Sequence, residues 1–284
     1  MLSQRENTLR AARFERPEWI PIHYAINASC WHHYPQGALQ DLMEAHPLLF
    51  PAFRRREGPI EPAYAPWARA GRPYTASWGC VWETTDDGIT GAVVGHPLAD
   101  WASLDGYVPP DPATDFGWGP LDWAAERERL AAAPSKGRLA SAALRHGHTF
   151  LTLTYLRGYD RLIYDMADDD PRLWRLIDMV EAFNLELVRR YIAAGAEWMS
   201  YPEDLGMQHG PMLSPALSSS EMPFPNAVMR SPSAVTSKRT VGSVPTRSFR
   251  VARAATRWRR SSRRARRSRT QSRLLRASEP GPAH

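Results

Sequence analysis

The chain reads as an α/β protein built on parallel strands, and two observations predict this. Short apolar runs alternate with longer amphipathic stretches across the first 216 residues, the pattern of helices packed on a parallel sheet or barrel. Charge then divides the 284 residues into an acidic body that can bury a core and a basic end that cannot. Up to Ala216 there are 20 Lys and Arg against 28 Asp and Glu, a net of −8; from Leu217 onward there are 16 against 2, a net of +14.

The elements follow in order. "SQRENTLRAARF" offers Ser3 as an N-cap and sets Leu9, Ala12 and Phe14 near one face, so a short helix is expected. "EWIPIHYAI", Glu18 to Ile26, alternates as a first buried strand would. Residues 37–57 read as helix broken by Pro47. The stretch "ASWGCVWETTDDGITGAVVGHPL" has two β-like runs flanking Asp86-Asp87-Gly88, a hairpin signal. "WASLDGYVPPDP" predicts a short helix entering a Pro-rich loop. "DWAAERERLAAAP" predicts an amphipathic helix closed by Pro134 and Gly137. "GRLASAALRHG" reads as a second central strand ending at His146. Two helices follow, the second with Asp170 as N-cap, Pro171 at its first position and Gly195 as its stop. "EWMSYPEDLG" is the third central strand, with its polar residues gathered at its end.

Two cysteines, Cys30 and Cys80, stand far apart and in no ligand-like spacing, so a cytosolic chain without a disulfide framework is expected. The start has no apolar segment of the signal-peptide kind, and no run approaches the roughly 18 apolar residues of a membrane span. A soluble chain without a membrane partner is the expectation.

Three motifs, "GITGAVVGHPLADWASLDGYVPPDP", "YLRGYDRLIYDMADDDPRLWRLID" and "AAGAEWMSYPEDLGMQHGPMLSP", occur in that order. Together they resemble the uroporphyrinogen decarboxylase family in its broad sense, which also contains corrinoid-dependent methyltransferases. The resemblance covers roughly residues 3–216. It implies a (β/α)8 TIM barrel, of which residues 1–216 would supply about the first half. It also implies carboxyl-group removal, or related chemistry, on a tetrapyrrole-like or other small-molecule substrate. The methyltransferase branch would add zinc and a corrinoid protein as partner. Two departures bear on the subfamily. Where porphyrinogen decarboxylases carry an arginine-rich stretch after the first strand, this chain reads "HYAINASCWHHYPQG". The methyltransferases' later cysteine ligands have no counterpart beyond Cys80.

In such barrels chemistry collects at the C-terminal ends of the strands. That rule selects His23 and Tyr24 after the first strand, His146 after the second, and Glu203, Asp204, Gln208 and His209 after the third. Asp204, Glu203 and His146 are the catalytic candidates. A carboxylate leaving a buried strand can take up a proton or stabilise positive charge on a protonated pyrrole. Alternatively, Glu203 or Asp204 caps the next short helix, with His209 hydrogen-bonded to it. Asp204 precedes the Leu205-Gly206 turn and is expected to face the pocket, and strand alternation predicts that Glu203 points oppositely. His23, Tyr24, Glu83, Gln208 and His209 are the substrate-binding candidates, each with a structural role as its alternative. His32 and His33 are expected on an exposed loop, or with His209 at a metal. Trp78, Trp118 and Trp123 are expected in the core, and Trp82 in packing.

The basic end, "WRRSSRRARRSRTQSRLLR" at its densest, has three readings. It is a solvated disordered tail, a phosphate-neutralising nucleic-acid arm, or translation of the wrong reading frame. Composition favours the third. Only Lys136 and Lys238 among the 36 basic residues are lysine, which implies a GC-rich coding sequence. Such DNA read out of frame yields Arg, Ser, Ala, Pro and Gly. The break is expected between about 217 and 231, which would leave the barrel without its later strands and the nucleic-acid role as a separate alternative.

Overall fold

The structure, a computed structural model, describes residues 2–22 and 24–213. The Arg/Ser-rich end and the expected break lie outside the described residues, as does His23. Helix α1 (Gln4–Ala12) starts at Ser3, whose hydroxyl accepts from the Glu6 amide at 3.1 Å. Its buried residue is Asn7, not the expected face: Phe14 is 96% exposed. Asn7 is held because its amide clamps the chain that follows. Oδ1 accepts from Glu18 N at 2.7 Å, and Nδ2 donates to Trp19 O at 2.8 Å.

That clamp bears on the first correction. Residues 18–22 and 24–26 form no strand, and Ile20 and Ile22 are exposed. The backbone groups of Glu18 and Trp19 that a neighbouring strand would use are bound by a side chain instead. Helices α2 (Ala28–His33) and α3 (Gln36–Ala45) follow. The helix expected to run on to residue 57 stops at Ala45, because Pro47 lacks an amide donor and disfavours helical backbone in the residue before it.

The hairpin forms around Asp86-Asp87-Gly88. Strands β1 (Tyr74–Thr75), β2 (Val81–Glu83) and β3 (Ala92–Gly95) make an antiparallel sheet in that order. Gly91 is needed where β3 begins: a Cβ there would lie 1.8 Å from the Glu83 carbonyl oxygen. A single 3-10 turn, Trp101–Leu104, stands where the short helix was expected. Helix α4 (Trp123–Ala132) has Asp122 as its N-cap, accepting from Ala124 N at 2.8 Å.

The parallel part is one crossover unit. Strand β4 (Ser141–Ala143) pairs in parallel with β5 (Trp198–Ser200), in register Ala142 to Met199. Between them run α5 (Phe150–Arg157), α6 (Tyr159–Ala167) and α7 (Pro171–Ala193). The first expected helix is thus two, divided at Gly158. Helix α7 begins as expected, with Asp170 accepting from Arg172 N at 2.8 Å. A small hairpin of β6 (Gly206–Met207) and β7 (Gly210–Pro211) follows.

The core lies where α5, α6 and α7 meet the antiparallel sheet. Leu173, Leu176, Ile177, Val180, Phe183 and Leu187 recur at helical spacing and pack with Leu153, Leu156, Leu162, Trp78 and Trp82. Each fully buried leucine contributes roughly 2 kcal/mol. Trp118 and Trp123, expected in the core, are partly buried and pack against its edge. Arg157 ties the α5–α6 corner to the loop after β3. It donates to Asp165 Oδ2 at 2.7 Å and to Leu98 O at 3.0 Å, with its guanidinium 4.3 Å from the Trp101 ring centre. Glu197, just before β5, pairs with Arg5 of α1 through Nε at 2.9 Å. No helix among the described residues is long and apolar enough to cross a membrane.

Candidate active site

The two parallel strands end side by side, and the polar residues after them meet there. The ladder continues past the strands: Leu144 N donates to Ser200 O and Gly147 N to Pro202 O, both at 3.0 Å. Arg145 and His146 therefore leave β4 beside Glu203 and Asp204 leaving β5. In α/β sheets this carboxyl end is where ligands bind.

Glu203 and Asp204 part at that point. The Glu203 side chain is 4% exposed and turns inward. Its Oε2 accepts from Thr149 N at 2.7 Å and Phe150 N at 2.9 Å, and Oε1 accepts from Leu151 N at 3.3 Å. A carboxylate thus satisfies three amides at the start of α5, where helix amides otherwise have no acceptor and the helix dipole favours negative charge. Burial pushes the Glu203 carboxyl up, while these same amides pull it down. Its neighbour His148 is pushed down to about 4, by burial first and by the Arg145 charge second.

Asp204 turns outward. Its Oδ2 lies 3.4 Å from His146 Nε2, and the two side chains are 61% and 57% exposed. Both line a cavity of about 760 Å³, within the range of small-molecule sites. The walls are largely aromatic. Trp82 and Trp118 have ring centres 4.5 Å apart, Trp82 and Tyr155 4.7 Å, and Trp67 and Trp118 4.8 Å. Burial pushes the Tyr155 hydroxyl up to about 12, so it stays protonated and able to donate. An imidazole paired with a carboxylate beside such a space can move a proton to or from a bound molecule.

Sequence reasoning missed Arg145, His96 and Tyr155, which also line the cavity. His96 Nδ1 donates to Tyr155 O at 2.8 Å, which makes Nε2 the acceptor in the neutral ring. The one signal for Arg145 was an arginine closing a run of small apolar residues, "LASAALR".

The other candidates lie elsewhere. Tyr24 is exposed in a segment without regular structure, and Glu83 is exposed at the end of β2, following the inward-facing Trp82. Gln208 and His209 form the exposed turn of the β6–β7 hairpin. None of these four lines the cavity. Among the described residues no group of three His, Cys, Asp or Glu side chains is placed to hold a metal ion, so His32, His33 and His209 do not form one. No protein-family model, curated protein or solved structure matches the chain.

Proposed function

We propose that the chain is the leading part of a (β/α)8 enzyme of uroporphyrinogen decarboxylase type, acting in the cytoplasm on a small, flat molecule. The reaction is removal of a carboxyl group by general acid catalysis. One observation carries the reading: His146 and Asp204, from the ends of adjacent parallel strands, stand 3.4 Å apart over an aromatic cavity. The crossover from β4 through three helices to β5 suits such a barrel. Cys30 and Cys80 are both free, which suits a reducing compartment.

Protonated His146 delivers its proton to the ring carbon that bears the carboxylate. The carbon–carbon bond then breaks, its electron pair returns to the ring, and carbon dioxide leaves. One proton is consumed per carbon dioxide released, and solvent reprotonates the imidazole. Asp204 orients the ring and balances its charge while it is protonated. The test is carbon dioxide release from a panel of pyrrole and indole carboxylates by the full chain. His146→Gln and Asp204→Asn should each lower the rate at least about 100-fold. No release by the unaltered chain, or an unchanged rate in both variants, overturns the reading.

A further inference from the structure

Arg145 is a buried cation that the mechanism above does not use. The residue is 7% exposed, and its guanidinium lies between two aromatic faces, 5.2 Å from the Trp78 ring centre and 5.3 Å from that of Phe183. Its three hydrogen-bond partners are neutral: Asn184 Oδ1 at 3.0 Å, Thr152 Oγ1 at 2.8 Å and the His148 carbonyl at 3.1 Å. Among the described residues no carboxylate is close enough to pair with it, although buried arginines are ordinarily paired. Glu203, whose charge acts on it most, is taken up by the amides of α5. Burial lowers Arg145 to about 10, so it remains charged at neutral pH.

Two further observations connect this cation to a ligand. Trp82, 4% exposed, lines the same cavity, and its buried indole N–H meets no acceptor among the described residues. The backbone also makes room for the arginine at Gly117. A Cβ there would come within 2.9 Å of Arg145 Cδ and 3.0 Å of Nη1. The φ of +96° at this residue is one that other residues rarely adopt. One cation, one free N–H donor and aromatic walls describe a receptor for a planar anion.

We propose that the cavity takes a flat aromatic carboxylate, with Arg145 balancing the carboxylate charge and Trp82 supplying a hydrogen bond. This rests on the cavity being the substrate site. A single negative charge fits better than a phosphate dianion, which would leave excess negative charge against apolar walls and near Asp204. A carboxylate held by Arg145 is stabilised in the ground state, so it anchors the molecule. The group lost is a second carboxylate, on the ring carbon that reaches His146.

The experiment is a titration of the full chain with naphthoate and with its neutral amide, naphthamide, followed by tryptophan fluorescence and calorimetry. Naphthoate should bind at least about tenfold more tightly, the effect expected of a charge-assisted contact. Arg145→Met should remove that preference, and Trp82→Phe should weaken naphthoate more than naphthamide. The comparison of acid with amide on the unaltered chain needs no variant to fold. Equal affinity for the two overturns the anion assignment while leaving the cavity as a small-molecule site. Binding of neither overturns both readings, and retained preference in folded Arg145→Met overturns the role of Arg145.

Discussion

Glu203 and Asp204 are neighbours in the chain whose carboxylates do opposite things: one closes the start of helix α5, and the other meets His146 at the cavity. The difference predicts separable phenotypes. Glu203→Ala leaves three amides without their acceptor and should lower stability by on the order of 2–3 kcal/mol. Asp204→Asn changes an exposed side chain and should move stability by less than about 0.5 kcal/mol, while lowering turnover at least about 100-fold. Thermal melting and rate, measured on both, check this. An unfolded Asp204→Asn or an intact Glu203→Ala would reverse the assignment.

Gly117→Ala is expected to be destabilising by about 1–3 kcal/mol, through the clash with Arg145 and the positive φ together. Denaturant unfolding measures it. Gly106→Ala, where a Cβ meets nothing within 4 Å, serves as the control. Equal midpoints for the two variants would show that the space beside Arg145 is not constrained.

Acid should weaken the fold through His148. Its folded value is lowered to about 4, whereas an unfolded histidine titrates near about 6.5. Between those values the unfolded chain holds more protons, so stability falls as pH drops through this window. Complete loss of that contribution is on the order of 3 kcal/mol. Glu203, pushed up by burial, acts in the opposite sense and lessens the slope at the acid end. His148→Asn should flatten the melting temperature between about pH 6.5 and 4. An unchanged slope in that variant would mean that other groups set it.

The coding DNA supplies a test for the basic end. Beyond codons 217–231, another frame is expected to encode further helix–strand units of ordinary composition, because net charge switches from −8 to +14 at that point. Early stop codons in both alternative frames would remove this explanation.

Much of the path to the site was legible in the chain. Asp170 and Ser3 announced their helices, because a cap is a local hydrogen bond between residues two or three apart. The strands at Ser141–Ala143 and Trp198–Ser200 were readable as short apolar runs, and the residues after them followed from strand order. The strand expected at residues 18–26 was not, since its backbone groups are bound by Asn7, a residue 11 positions earlier in the case of Glu18. Alternation of side chains cannot report such a partner.

The sequence by itself determined the caps at Ser3 and Asp170, the strands at Ser141–Ala143 and Trp198–Ser200, and the places of His146, Glu203 and Asp204 just after them, all of which depend on neighbours close along the chain. Only the tertiary structure decided that Glu203 closes the start of α5. It also decided that Arg145 lies buried between Trp78 and Phe183, with Asn184 as a partner 39 residues away. Those relationships depend on how α5 and α7 pack against the sheet, and no local pattern in the chain specifies that approach.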